Sequence, residues 1–203
     1  MSLLFSPLKL RGLVIPNRVV MSPMCQYAAV DGLAQAWHMV HLGARAVGGA
    51  GIVMAEATAV TPEGRLSPED LGIWSDRHVE ALRPIAQFIR ASGAIPGIQL
   101  AHGGRKSARH RPWEGNGPLV GDRSWSLMAP SPIAFDEGWQ VPTEMGQSDI
   151  DAVVTAFRAS ACRARDAGFD LIEGHFAHGY LLHSFLSPLS NKRTDQYLSL
   201  IHI

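Results

Sequence analysis

The chain has 203 residues, 46% of them hydrophobic, and 18 Lys plus Arg balance 18 Asp plus Glu to a formal net charge of zero. That length suffices for one substantial core, and the composition is that of a globular chain rather than a disordered or membrane-embedded one. No Lys/Arg cluster flanks aromatic residues, so no surface for tracking nucleic-acid phosphates is expected.

Residues 1–7 lack a basic segment followed by a long apolar core, and no uninterrupted apolar run reaches transmembrane length. A cytoplasmic location without membrane contact is the expectation. Cys25 and Cys162 lie far apart in different kinds of segment, which reads as two free thiols in a reducing compartment.

Residues 3–14, with a turn at 9–12, read as a short hairpin that would plug the bottom of a barrel. An apolar run at 17–21 leads into Ser22-Pro23-Met24, followed by a helical pattern at 35–47. A second run at 51–57 leads into residues 58–62, followed by a helix at 78–91. A third at 95–100 ends in the glycine-bearing stretch 101–105. The long segment 103–145 carries Trp113, Trp125 and Trp139 and reads as a lid or cap, with a loosely held surface excursion as the alternative. A helix follows at 149–167, with Asp149 and Asp151 placed in its first turn to suit the positive end of the helix dipole. The fourth run, 169–173, leads into His175. Gly49, Gly93 and Gly168 follow the three helices as C-terminal caps would.

Continuous apolar strands separated by helices are the pattern of a parallel sheet buried on both faces. Four such units plus the hairpin amount to about half of an α/β (βα)8 TIM barrel. An open doubly wound sheet competes, but no Gly-x-Gly-x-x-Gly follows the first strand.

Barrel active sites gather at the carboxyl ends of strands. The most informative of these ends is Glu173 to Tyr180, read E-G-H-F-A-H-G-Y: His175 and His178 can each present an N–H to one polarised oxygen, and Tyr180 can protonate a carbon centre. The remaining ends offer Ser22, Pro23, Met24, Cys25, Gln26 and Tyr27; Glu56, Ala57 and Thr58; and Gln99 to His102. Small and apolar groups mixed with amide and imidazole suit a flat heteroaromatic ligand, with Gln99 able to serve a pyrimidine-like edge. His38 and His41 share a helical face, but no third ligand stands near them and no zinc spacing is present, so no metal is expected. Ser22, Ser184 and Ser187 lack a nucleophile elbow. Glu173 reads as orienting His175 or neutralising charge, or else as pairing with a loop arginine, and Lys192-Arg193 as a solvated turn or salt-bridging edge.

Four segments together carry a family resemblance: P-N-R-V-V-M-S-P-M-C-Q-Y at 16–27, G-G-A-G-I-V-M-A-E-A-T-A-V at 48–60, Q-L-A-H-G-G-R-K at 99–106, and H-F-A-H-G-Y through S-P-L-S-N-K-R-T-D at 175–195. The chain resembles the old yellow enzyme family of FMN-dependent ene-reductases, in particular its xenobiotic-reductase-like or thermophilic-like branch of NADPH dehydrogenases. The resemblance implies that Ser22, Pro23, Met24 and Cys25 line the flavin, that Ala57 and Gln99 contact the ring edge, and that His175 and His178 grip the substrate oxygen, with His175 also touching the flavin. It implies Tyr180 as proton donor and Tyr27 as a substrate-pocket residue. NADPH or NADH would reduce FMN, and a small electron-poor alkene conjugated to a carbonyl or nitro group would then be reduced in ping-pong fashion.

The same resemblance implies that residues 1–197 are the N-terminal half of a single FMN-binding barrel domain, that 198–203 are a non-family tail left by truncation, and that the full-length form is a homo-oligomer. The flavin-phosphate loops and an arginine near the ring would come from the other half. The chain as given is then expected to bind FMN weakly or not at all, and an inactive fragment or a non-catalytic half-barrel binding protein is the alternative reading. Gly103 and Gly174 stand where the family more often has an alanine and a larger apolar residue, which is expected to loosen local packing.

Overall fold

The computed structural model describes residues 2–198. The chain opens with a 3-10 turn at Leu3–Phe5 and an antiparallel hairpin of β1 (Leu8–Leu10) and β2 (Leu13–Ile15). The hairpin begins later than the 3–14 expected, because residues 3–5 form the 3-10 turn, and it runs to Ile15; its turn is only Arg11-Gly12, with Arg11 at a left-handed φ of 51°. Ile15 packs against Ile52, Met54, Ile95 and Leu171, at or near the N-terminal ends of the central strands. That is the bottom of the sheet, where a plug was expected.

Strand β3 (Val20–Met21) leads into α1 (Ala36–Val47), and β4 (Ile52–Ala59) into α2 (Asp76–Ala91). Strand β5 (Ile95–Ala101) reaches α3 (Gln147–Ala167) through a long connection carrying the short parallel pair β6 (Met128–Ala129) and β7 (Thr143–Glu144). Strand β8 (Leu171–Gly174) leads into the short α4 (Leu181–Leu186). The sheet order is β3-β4-β5-β8, parallel throughout. Strands in sequential order, with the successive helices packed on one another, are the arrangement of half a (βα)8 barrel; a doubly wound sheet would reverse its order.

All of β4 and nearly all of β5 is buried, which is why those runs read as continuous apolar sequence. The outer strands are shorter than their apolar runs. Asn17 spends its side chain bridging to the Gly49 carbonyl and the Val19 amide, so the first ladder begins only at Val20. In β8, Phe169 bonds back to Ala164 and leaves Leu171 as the first ladder residue. The core joins Leu42 and Ala46 of α1, Leu82 and Ile89 of α2, and Ala164 of α3 to Val53 and Ile98 of the sheet.

Helices α1 and α2 start with the same device. His38 and His78 each turn Nδ1 back to accept the N–H of Gln35 and Ser75, three residues earlier. Histidine thus plays the part that Glu or Gln plays in a capping box. Helix α3 begins at Gln147, so Asp149 sits in the first turn and accepts from Gly146 N, whereas Asp151 falls just beyond it. Gly49, Gly93 and Gly168 all carry positive φ at the helix ends, a conformation that costs a residue with a Cβ.

The 103–145 segment is fastened rather than loose. Trp125 donates to the Glu63 carbonyl, Arg65 lies between the Trp74 and Trp125 rings at 5.3 Å from each, and Leu119, Leu127 and Ala129 are buried. Of the two readings of Lys192-Arg193, the salt-bridging one holds at Arg193: it pairs with Asp195 and Glu144 and donates to the Pro130 and Met145 carbonyls, fastening the 103–145 segment to residues 193–195. The tail expected at 198–203 lies, from residue 199 on, outside the described residues. No described helix is long and apolar enough to cross a membrane.

Candidate active site at the strand ends

The carboxyl ends of β3, β4, β5 and β8 share one end of the sheet. On leaving β3 the chain exposes Ser22 and Met24 and half-buries Pro23, Cys25 and Tyr27. A register shift in β4 between Ala55 and Ala57 makes Glu56 a bulge residue, leaving Ala57 paired with Gln99. Buried Glu56 accepts from Gln26 N at 2.7 Å and faces His38 Nε2 at 3.1 Å. Because His38 Nδ1 accepts from Gln35, its proton sits on Nε2, which lies close to the carboxylate without making a hydrogen bond to it. Trp37 donates to the Gln26 side chain, and Gln26 donates to the Met24 carbonyl. This network fixes the loop that carries Cys25, whose thiol is near the Ala57 N–H and is pushed up by burial, then by Asp70 and Glu56. Cys25 and Cys162 are both free.

After β8, His175, His178 and Tyr180 come together with ring centroids 5.0 Å (His175–His178), 4.8 Å (His175–Tyr180) and 6.3 Å (His178–Tyr180) apart, all edge-on. His175 is buried and His178 exposed. His175 N bonds to the Leu100 carbonyl, and its Nδ1 accepts from Ala177 N, which assigns the proton of the neutral ring to Nε2. Burial, then the neighbouring His178, holds the His175 pKa down, favouring that neutral donor. His178 is held at a left-handed φ of 58°; Lys106 Nζ donates to its carbonyl at 2.6 Å, and His183 Nδ1 accepts the next amide, Gly179 N. Tyr180, at the start of α4, has its phenol pKa raised chiefly by burial.

Tyr27 completes the group. It too has a left-handed φ (53°), packs edge-on against Trp113 at 5.2 Å, and has its phenol pushed up to about 12 by burial and then by Cys25. Trp113 thus brings the long connection onto the site. Beneath it, buried Asp70 accepts from Ser67 Oγ and Leu66 N and is pushed up to about 6 by burial.

Every expected site residue therefore lies at this end of the sheet, with two local corrections. Glu173 makes no hydrogen bond to His175 and meets no arginine among the described residues: it accepts from Gln99 Nε2 at 2.8 Å, because the two are paired across the β5–β8 ladder, and acts on His175 only through its charge. Gly103 and Gly174 do not loosen the packing, since Leu66 comes within 2.7 Å and the Phe176 ring within 2.8 Å of where a Cβ would stand. Sequence reasoning missed Asp70, Lys106 and Arg109 as members of the site. Arg109 follows Ala108, a non-glycine residue at φ 53°, a bend that residue type does not announce. The donor set fits a flat heteroaromatic ring such as a flavin: the Gln99 amide and Ala57 backbone at an edge, apolar Pro23 and Met24 beside it, and the His175 and His178 imidazoles at the same strand ends.

The chain is similar to the NADPH dehydrogenase of Geobacillus sp. (strain WCH70), 50% identical over 198 residues, which cover 97% of this chain and 54% of that protein. The NADPH dehydrogenase of Bacillus subtilis (strain 168) is 46% identical over 196 residues, covering 96% and 54%. Among solved structures, morphinone reductase in complex with tetrahydroNAD superimposes with a TM-score of 0.83 at 31% identity, over 97% of this chain and 55% of that one. An Old Yellow Enzyme from Pichia sp. AKU4542 gives 0.82 at 27% identity, over 97% and 51%. The chain spans about half the length of the curated relatives it matches. Residues 3–199 match the family described as NADH:flavin oxidoreductase / NADH oxidase, and the chain belongs to that family.

Proposed function

We propose that these residues serve an FMN-dependent NAD(P)H oxidoreductase that reduces the C=C bond of electron-poor alkenes conjugated to a carbonyl or nitro group. The observation that carries this reading is the convergence of the His175, His178 and Tyr180 rings within 4.8 to 6.3 Å at one strand end. Residues 1–197 form the N-terminal half of one barrel domain, and the full-length protein is a homo-oligomer acting in the cytoplasm. The nicotinamide analogue bound to morphinone reductase supports NADPH or NADH as reductant.

When bound, FMN supplies the hydride that the nicotinamide delivers to it. Ala57 and Gln99 would hold the ring edge, with Pro23, Met24 and Cys25 beside it. The His175 Nε2–H and a ring N–H of His178 grip the substrate oxygen and stabilise the charge that grows on it, a contact worth about 2.7–4 kcal/mol per donor in comparable oxyanion sites. Tyr180 gives its proton to the α-carbon, general acid catalysis worth roughly 10²- to 10⁴-fold. Tyr27 and Trp113 form the wall against which the alkene lies.

The test is anaerobic turnover of cyclohexenone by the protein with excess FMN and NADPH, following cyclohexanone. Protein-dependent product that is lost in Tyr180→Phe while NADPH oxidation under air persists supports the reading. Product formation indifferent to His175→Ala, His178→Ala and Tyr180→Phe contradicts it.

A further inference from the structure

The peptide group between His178 and Gly179 is held from both ends. Its carbonyl accepts from Lys106 Nζ at 2.6 Å, and its N–H donates to His183 Nδ1 at 2.6 Å. Both bonds fall on one rigid plane, so a flip of that plane would break them together. The loop around it is pinned to the end of β5, where His175 N bonds to the Leu100 carbonyl and Leu181 N to the His102 carbonyl. Between those pins His178 and Gly179 take left-handed φ values of 58° and 74°. For His178, a residue with a Cβ, that conformation is strained and lasts only where its surroundings impose it. Gly179 also leaves room for the lysine, because a Cβ there would stand 3.2 Å from Lys106 Cε and Nζ. Lys106 is itself fixed from the long connection: Arg105 Nη1 donates to the Ile133 and Ala134 carbonyls, and the next residue, Phe135, has its ring centroid 4.3 Å from Lys106 Nζ.

We propose that Lys106 and His183 are positioning residues for His178: by clamping the 178–179 peptide they hold the turn from which the His178 imidazole meets the substrate oxygen. The inference rests on the functional reading above. The need for a clamp is greater at His178 than at His175. His175 is buried and its ring Nδ1 is engaged by Ala177 N, whereas the exposed His178 ring has no hydrogen bond among the described residues and meets His175 and Tyr180 only edge-on, at 5.0 and 6.3 Å. Its aim is therefore set by its backbone. The lysine supplies a charge-assisted bond, roughly twice as strong as a neutral one. The imidazole of His183 accepts through Nδ1, which leaves the proton of its neutral ring on Nε2. A donor displaced by a fraction of its bond length loses much of its grip on a developing oxyanion, so fixing one peptide plane bears directly on rate. Because Phe135 packs on the same ammonium, the clamp also ties the 103–145 segment to the histidine pair. Lys106 Nζ stands 5.6 Å from the Tyr180 ring centroid as well, so a test has to separate action through His178 from action on the phenol.

Two measurements on the full chain test this. The first is hydrogen exchange at the Gly179 amide, read by proton–nitrogen NMR. Lys106→Met is expected to speed it about tenfold with the amides of β4 unchanged, Lys106→Arg to restore most of the protection, and His183→Ala to speed it by a similar factor. The second is kcat/KM for cyclohexenone, with excess FMN and NADPH, in a double-substitution cycle. Lys106→Met is expected to lower it about tenfold in the unsubstituted background, and to change it by less than about twofold alongside His178→Ala. Gly179 exchange unmoved by Lys106→Met overturns the clamp, and so does a quickening shared by the β4 amides, which would mark a global loss of stability. An equal loss of kcat/KM in the His178→Ala background overturns the positioning role, because Lys106 would then act on Tyr180 or the substrate directly. Absence of enone turnover in the unsubstituted protein, with Gly179 exchange still quickened by Lys106→Met, contradicts the functional reading and leaves the clamp standing.

Discussion

Two buried groups near the strand ends should make the stability of this protein respond to pH in opposite directions over the same range. His102, at the end of β5, is fully buried; its Nδ1 accepts from Gly104 N at 3.1 Å and its Nε2 has no partner among the described residues. Burial pulls its pKa from 6.5 down to about 4. For a histidine depressed in the folded state, the contribution is fully present above 6.5 and is lost as pH falls toward 4, a gap worth about 3 kcal/mol at about 1.4 kcal/mol per pH unit. Asp70 is raised from 3.8 to about 6, so its contribution is fully present below 3.8 and is lost as pH rises through 6, again worth about 3 kcal/mol. The two slopes nearly cancel in the unsubstituted protein. His102→Asn keeps an acceptor for Gly104 N and removes the titration, and should uncover a protein that loses stability as pH rises from 4 to 6. Asp70→Asn should uncover the reverse. Urea denaturation at intervals across that range measures both slopes. Stability curves of the two variants that run parallel to each other would refute the reasoning.

Three further outcomes follow from the packing around the site. Glu56→Gln puts an amide N–H₂ against either Gln26 N–H or the His38 Nε2–H, leaving donors opposed in a buried place at a cost of about 1–3 kcal/mol. Cys25 labelling by a thiol reagent should then quicken while that of exposed Cys162 stays constant; unchanged Cys25 labelling would show that Glu56 does not hold the loop. Gly104 has φ 58°, and a Cβ there would stand 2.9 Å from Leu181 Cα, so Gly104→Ala should lose about 2–5 kcal/mol in denaturant melts. Gly115, at φ 97° with open space around it, supplies the control: Gly115→Ala should cost only the backbone part, about 1–2 kcal/mol, and equal losses at the two positions would discount the contact with Leu181.

Much of this architecture was legible because burial on both faces leaves a plain mark. The starts of β4 and β5, Ile52 to Ala55 and Ile95 to Ile98, carry no polar side chain, and the helices flanking these strands end in glycines that adopt the left-handed conformation. The His175, His178 and Tyr180 group was legible because three such side chains within six residues of a strand end have few roles in a core. What escaped depends on register and on distant pairing. The β4 bulge that turns Glu56 toward His38, eighteen positions away, exists only once β4 and β5 are paired. The Gln99–Glu173 bond is likewise a property of the β5–β8 ladder. The histidine N-terminal caps of α1 and α2 did carry a signal, a His three residues after Gln35 and after Ser75. Their local role gives both histidines a structural part at the helix starts.

The most direct measurement of whether these strand ends form a flavin site is a titration of the isotope-labelled chain with FMN followed by proton–nitrogen correlation NMR, which reads weak binding residue by residue. With about half the length of its relatives present, affinity is expected to be weak, and the shifts are expected to fall on Met24, Cys25, Ala57, Gln99, His175 and His178. Shifts absent at saturating FMN, or gathered instead on the apolar groove of α3 and α4 lined by Ile150, Val153 and Phe185, would contradict it.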